Sequence, residues 1–343
     1  MGHLRVPTQR VLAVCALLLA TLASIVSTAG AQDATPGTDG GGTLSQFGLP
    51  EVRITIEDGQ IQAPAEAPAG QLLLVVDNRM DFPGGVSLIQ PPAGTSVEEM
   101  MGPPPASPEA GVPTDAEMAS PEAAEGGEEE QLPPWFFTST WAGGAFAGPG
   151  MTGEAVITLT PGDWVVLAQE DMAPAVITVT EGGATPGTTG QITADATVEL
   201  DDFQILLPQE IQAGPQIWEV TNVGDQPHEL FITKTPELLT VEQAEQLVQL
   251  DPESGEIPAG LPDPTTFEDV GGVAPISQDV TVYSEINLEP GNYVAVCFMP
   301  DQETGMPHAL KGMFVIFQVG EAGQEVSPPA SPEPMDGTPV AHH

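Results

Sequence analysis

Cysteine, histidine and basic residues are all scarce in this chain. Two cysteines, five histidines and six Lys or Arg stand against 49 Asp or Glu, a net charge of −43. So few cations exclude nucleic acid and anionic membrane surfaces as partners, because both demand basic patches. The acidity suits solubility, a salty exterior or a basic redox partner, and most of the carboxylates need no reading beyond a solvated surface. Long apolar runs are few as well. One follows Arg5 and Arg10, from Val11 to about Ile25, and falls short of the about 20 apolar residues that a bilayer crossing takes. With Ala29-Gly30-Ala31 behind it, residues 1–31 read as a signal peptide cleaved after Ala31, with an uncleaved anchor as the alternative. Leu12-Ala13-Val14-Cys15 carries a faint lipoprotein-box signal, against which stand Val14 and the apolar run continuing beyond the cysteine. Cleavage implies a secreted or extracytoplasmic protein with no membrane insertion afterwards.

Cleavage removes Arg5 and Arg10, leaving four cations against 49 acids, a net charge of −45. It also removes His3 and Cys15, so that Cys297 is the single remaining cysteine. One cysteine cannot close an internal disulfide, and an odd thiol in an oxidising compartment calls for a metal or a partner. His342 and His343 end the tail, where an exposed pair is incidental. The body keeps His228 and His308.

What is present is a segment, Tyr293 to Val319, that places a thiol, an imidazole and a thioether between two apolar strands. Tyr293 to Phe298 alternates after a turn at Pro290-Gly291-Asn292, and Met313, Val315, Phe317 and Val319 share one face of a second strand. His308 lies on the Met-, Pro- and Gly-rich loop between them. A further imidazole comes from His228, which follows a turn at Asn222 to Gln226 and shares an inward strand face with Leu230 and Ile232. A lone inward histidine is more often a hydrogen-bonded core residue than a ligand. Here the body's only two histidines and only cysteine fall where a copper site would place them. Thiolate, imidazole and a weak thioether are the ligand types that hold one copper ion. Zinc also suits Cys and His, but a thioether is a poor zinc ligand.

These residues resemble the cupredoxin family, the plastocyanin- and azurin-like type 1 blue copper proteins. The resemblance spans roughly residues 190–320, and His308 to Met313, HALKGM, is similar to the His-to-Met segment of plastocyanins. It implies a Greek-key β-sandwich, one copper ion cycling between Cu(I) and Cu(II), and His228, Cys297, His308 and Met313 as ligands. The exposed edge of His308 would be the electron port. Phe298, Met299, Met306, Pro307 and Leu310 would form an apolar collar around it, or simply pack the loop. Two departures stand out. The Cys297-to-His308 loop is longer than in the small electron carriers and nearer in style to the copper nitrite reductases. Glu229 follows His228 where many members have Asn or Ser, which leaves the hydrogen bond to the thiolate missing or differently supplied.

The chain also repeats itself. Ile54 to Pro83 aligns without a gap on Val198 to Pro227, pairing Asp58 with Asp202, Gln60 with Gln204, Pro64 with Pro208, Gly70 with Gly214 and Asn78 with Asn222. Leu159 to Trp164 matches Leu288 to Tyr293. In the first copy Gly84 stands at the position of His228 and Ala168 at that of Cys297, and residues 32–227 contain no histidine. The fold class expected is therefore all-β: two tandem cupredoxin-like Greek-key sandwiches, at 49–181 and 192–320, the first degenerate and structural. Residues 32–48, 182–191 and 321–343 read as linkers and tail, and 91–131 as a disordered acidic insertion short of apolar residues. Thr240 to about Leu250 reads as a short helix, with Thr240 and Gln243 forming its start. Three functions compete: a blue-copper electron carrier that is not an enzyme and serves an unknown, basic redox protein; a copper-binding or delivery protein; or a structural sandwich with a vestigial site. Further copper centres would need more histidines than the chain has.

Overall fold

The computed structural model describes residues 43–101, 132–133, 135–168, 172–181, 192–250, 257–321 and 329–332. Residues 1–31, read above as a signal peptide, most of the expected acidic insertion, the expected linker at 182–191 and most of the tail lie outside the described residues. Alternation of apolar and polar residues draws the rest into strands. In Ala196–Asp201, for example, Ala196, Val198 and Leu200 turn inward between exposed Thr197 and Glu199.

Copy one comprises β1 (Glu51–Glu57), β2 (Gln60–Gln62), β3 (Glu66–Pro68), β4 (Gly70–Asn78), β5 (Gly84–Gln90), β6 (Thr140–Ala147), β7 (Thr152–Leu159), β8 (Gly162–Leu167) and β9 (Ala175–Thr180). Copy two comprises β10 (Ala196–Asp201), β11 (Gln204–Leu206), β12 (Gly214–Asn222), β13 (His228–Thr235), β14 (Glu268–Ile276), β15 (Thr281–Leu288), β16 (Gly291–Val296) and β17 (Phe314–Val319). The pairings repeat. β1 runs parallel to β4 as β10 does to β12, and β5 lies between β6 and β8 as β13 lies between β14 and β16. In each copy the chain passes from one sheet to the other, giving the expected all-β sandwich. The repeat extends to side chains. Asn78 and Asn222 are both fully buried, and each donates to the backbone four residues on and accepts from the N–H two residues on.

The two sandwiches are not separate bodies strung on a linker. β7 pairs with β15 through Val156 and Tyr283, and β6 meets β14 through Ala142 and Ile276. One eight-stranded and one nine-stranded sheet therefore run through both copies. Their inner faces enclose one continuous apolar cluster that includes Trp164 of copy one and Trp218 of copy two. Strands left as edges expose unpaired backbone groups, and pairing edge to edge removes that liability.

Three expected boundaries also shift. Thr43–Phe47, assigned above to the linker, forms a 3-10 turn whose Leu44 is fully buried against Leu73, Val75 and Val156 of copy one and Ile217 of copy two. The insertion begins with a capped helix, Val97–Met101, carrying a buried Met100. In the tail, Ala330 exchanges two backbone hydrogen bonds with Ile316 on the edge strand β17. Each shift places an apolar residue or an unpaired strand edge under cover. The helix Val241–Leu247 forms with the Thr240–Gln243 capping box expected of it, and Ala244 packs with Leu239, Phe314 and Ile316 outside the nine-stranded sheet. No helix among the described residues is long and apolar enough to cross a membrane.

Candidate metal centre

The site lies at one end of copy two, where three chain segments are fixed by backbone hydrogen bonds. His228 opens β13, directly after the turn that Asn222 orders. Cys297 follows the last residue of β16, and its N–H donates to Met313 C=O at 3.1 Å. The loop beyond Cys297 is bonded to itself, Asp301 N–H to Met306 C=O at 2.8 Å, and it returns so that His308 N–H donates to Met299 C=O at 2.8 Å. His308 starts a 3-10 turn, His308–Lys311, which ends at Gly312 in the left-handed region (φ +98°). The chain there reverses within one residue, and Met313 N–H bonds back to His308 C=O at 3.0 Å. The greater loop length thus leaves the spacing from His308 to Met313 tightly fixed.

These constraints bring His228, Cys297 and His308 together, all three fully buried. The two Nδ1 atoms are 3.0 Å apart, and Cys297 Sγ lies 3.5 Å from Nδ1 of His308 and 3.9 Å from that of His228. A point equidistant from the three atoms is about 2 Å from each, the length of a metal–imidazole bond. Met313 is fully buried and tied by its backbone to both Cys297 and His308. At this separation a single proton between the two Nδ1 atoms would satisfy both imidazoles without metal. A cation at the centre would answer all three donors together, and one thiolate with two imidazoles suits a copper ion. The residues present therefore fit the metal that the sequence implies.

Surrounding groups set the ligands' protonation. His228 Nε2 faces Asp202 Oδ1 at 3.0 Å, so that nitrogen carries the proton and Nδ1 keeps its lone pair for the centre. The hydrogen bond from His228 holds the Asp202 carboxyl below the usual range. Burial, reinforced by neighbouring His228, pushes His308 down to about 3, which keeps the imidazole neutral as a ligand must be. Glu229 supplies what the sequence left in doubt: its backbone N–H points at Cys297 Sγ, 3.5 Å away, and its carboxylate accepts from Phe298 N–H at 3.1 Å. Burial pushes that carboxyl up to about 7, against the pull of the Phe298 bond.

The exposed edge expected of His308 is not there. The residue is fully buried, and its Nε2 has no hydrogen-bond partner among the described residues. Phe203 stands edge-on to the imidazole, with centroids 5.1 Å apart. The expected collar is also mostly internal, with Met299 and Pro307 buried and Phe298 packed beside the Val241–Leu247 helix. Three residues that shape the site were not assigned a role from the sequence: Asp202, Phe203 and Gly224. A Cβ at Gly224 would come within 2.6 Å of Asp202 Oδ1 and 2.8 Å of His228 Nε2, so any side chain there would drive the pair apart. The signal lay in the repeat. Copy one has Met80 opposite Gly224 and Gly59 opposite Phe203, whereas Asp202 is matched by Asp58 and carries no such signal.

No protein-family model and no curated protein sequence matches the chain. Among solved structures it is similar to reduced auracyanin from the photosynthetic bacterium Roseiflexus castenholzii, at 18% identity and a TM-score of 0.24, over 36% of this chain and 94% of that one. It is also similar to a multi-copper oxidase from Pediococcus acidilactici, at 11% identity and a TM-score of 0.20, over 80% of this chain and 60% of that one. A third is the copper-containing nitrite reductase of Thermus scotoductus SA-01, at 12% identity and a TM-score of 0.19, over 79% of this chain and 61% of that one. The chain thus spans less than two thirds of the length of the latter two. With likenesses this distant, the basis for assigning a ligand is the site's own geometry.

Proposed function

We propose that the chain is an exported, mononuclear type 1 copper protein that carries single electrons, with His228, Cys297, His308 and Met313 as ligands and copy one as a structural partner. The observation that carries this reading is the convergence of two Nδ1 atoms and one thiol sulfur in a fully buried site. When bound, copper would supply one-electron exchange between Cu(I) and Cu(II). The protein's part is to hold its donors still. Three of the four ligand residues are linked by backbone bonds, and Asp202 and the Glu229 N–H fix the His228 ring and the sulfur from behind. Donors fixed in this way need little rearrangement when the oxidation state changes, and the hydrogen bonding around the sulfur tunes the potential.

The covered edge of His308 favours a second reading, a copper-binding or delivery protein with slow electron exchange. Addition of Cu(II) to the purified protein, with Cys297→Ser as control, tests the first claim. An intense visible thiolate-to-copper band with a type 1 paramagnetic spectrum, lost in the mutant, is the expected result; a colourless protein would refute the assignment. The self-exchange rate of the loaded protein then separates carrier from store.

A further inference from the structure

The turn joining β10 to β11 contains a residue that its backbone does not favour. In copy one the corresponding turn is Asp58-Gly59, and Gly59 has φ +72°. In copy two it is Asp202-Phe203, and Phe203 has φ +63°, in the left-handed region that suits glycine and is unusual for a bulky side chain. Such a conformation persists where the surrounding structure makes use of it.

The use is visible in what the ring touches. Phe203 meets His308 at 88° between ring planes, on an imidazole whose buried Nε2 has no partner among the described residues. Lys311 Nζ lies 3.8 Å from the centroid of the Phe203 ring, a cation–π contact. The ammonium is held in turn by Asp301, buried and 3.2 Å away. Asp301 also accepts from Gln226, whose N–H reaches Asp202 at 3.3 Å on the far side of the turn. Copy one has no imidazole, and a Cβ placed on Gly59 would meet nothing within 4 Å among the described residues. The aromatic ring is therefore present in the copy with ligands to cover and absent from the copy without them.

We infer that Phe203, clamped by Lys311, is a cap that closes the site, sealing the outer edge of His308 from water, small anions and chelators. The seal itself stands on geometry. Its consequence, that a bound metal is reached by electrons across the Phe203 ring and not by incoming ligands, rests on the copper reading above.

Diethyl pyrocarbonate, which carbethoxylates accessible imidazoles, tests the seal on the metal-free full chain, with peptides mapped by mass spectrometry. His308 of the wild type should react no faster than His228. In Phe203→Gly and Phe203→Asn, both able to keep the left-handed turn, His308 should react about tenfold faster or more while His228 stays protected. The inference is overturned if His308 stays protected in both variants, or if both histidines become reactive together, since the ring would then support the whole domain and not cover one edge. On the copper-loaded chain, bathocuproine disulfonate should strip Cu(I) about tenfold faster from Phe203→Gly than from wild type. An unchanged rate would overturn the consequence for metal access. A chain that takes up no copper at all would refute the proposed function and leave the carbethoxylation result to decide the cap.

Discussion

Asp202→Ala is the perturbation that best separates a built metal site from a buried histidine pair. Asp202 Oδ1 accepts three hydrogen bonds, from His228 Nε2 at 3.0 Å, Asp225 N–H at 3.1 Å and Gln226 N–H at 3.3 Å. The last two are long and partly exposed, and their loss is made good by water. The first is different, because His228 is fully buried, and an unpaired donor in that position costs about 1–3 kcal/mol. With the carboxylate gone, His228 can place its proton on Nδ1, the atom that faces the centre, and copper must then displace it. Loss of such a supporting carboxylate typically weakens metal binding by about 10–100-fold, equivalent to about 1.4–2.8 kcal/mol at 1.4 kcal/mol per decade, and so matches the hydrogen-bond figure. A carboxylate partner also makes His228 a stronger donor and favours Cu(II). If Cu(II) loses about tenfold more affinity than Cu(I), the potential rises by about 59 mV. Competitive titration against a chelator of known affinity, together with voltammetry, reads both quantities, and Asp202→Asn, which keeps an acceptor, should fall in between. Copper affinity and potential in Asp202→Ala indistinguishable from wild type would refute the role given to this bond.

Two further outcomes follow from the fold. Leu44→Ala should lower stability by about 2–4 kcal/mol, because the side chain is fully buried at the junction of the copies; urea denaturation should show one transition at a lower midpoint, and an unchanged midpoint would remove residues 43–47 from the core. Asp269 has a buried oxygen with no partner among the described residues, and burial pushes its carboxyl up to about 6 from 3.8. The folded state therefore holds this proton more tightly than the unfolded state. Its contribution is most favourable below about 3.8, declines as pH rises, and is fully lost above about 6, a swing of about 3 kcal/mol. Asp269→Asn should flatten the fall in Tm between about pH 4 and pH 6.5, and an unaltered slope would show that this carboxyl is solvated.

The positions along the chain of the residues that converge, His228, Cys297 and His308, were legible because each side chain belongs to a local pattern. Alternation placed Leu230 and Ile232 inward with His228, and the turn at Gly291 announced the strand that delivers Cys297. What the sequence concealed came from contacts between distant segments. Nothing near Asp202 in the chain indicates that its carboxylate meets an imidazole 26 residues on. Burial of His308 depends on Phe203, which reaches it from another hairpin. Glu229 left the hydrogen bond to the thiolate either missing or differently supplied, and the supporting group is its backbone N–H, which any residue but proline would supply. The joined sheets were hidden for a similar reason, since the pattern of a strand encodes its faces and not what lies along its edge.

That edge gives the ligand-free copy a physical role in the site. Ile276 of β14 is the register partner of His228 on one side and of Ala142 in copy one on the other. Its carbonyl also accepts from Asn222, the side chain that orders the turn leading into His228. β6 can come this close because Gly143 lacks a side chain: a Cβ there, at φ +86°, would lie 2.7 Å from Val282 and 3.1 Å from Ile276. Copy one therefore presses on the strand that carries the first imidazole, through backbone pairing that needs no particular side chain from it. Gly84 and Ala168, which stand in copy one at the positions of His228 and Cys297, take no part in this pairing. An exposed β14 would be a mobile edge strand, and His228 would lose the rigid neighbour that a fixed 3.0 Å approach between two imidazoles requires.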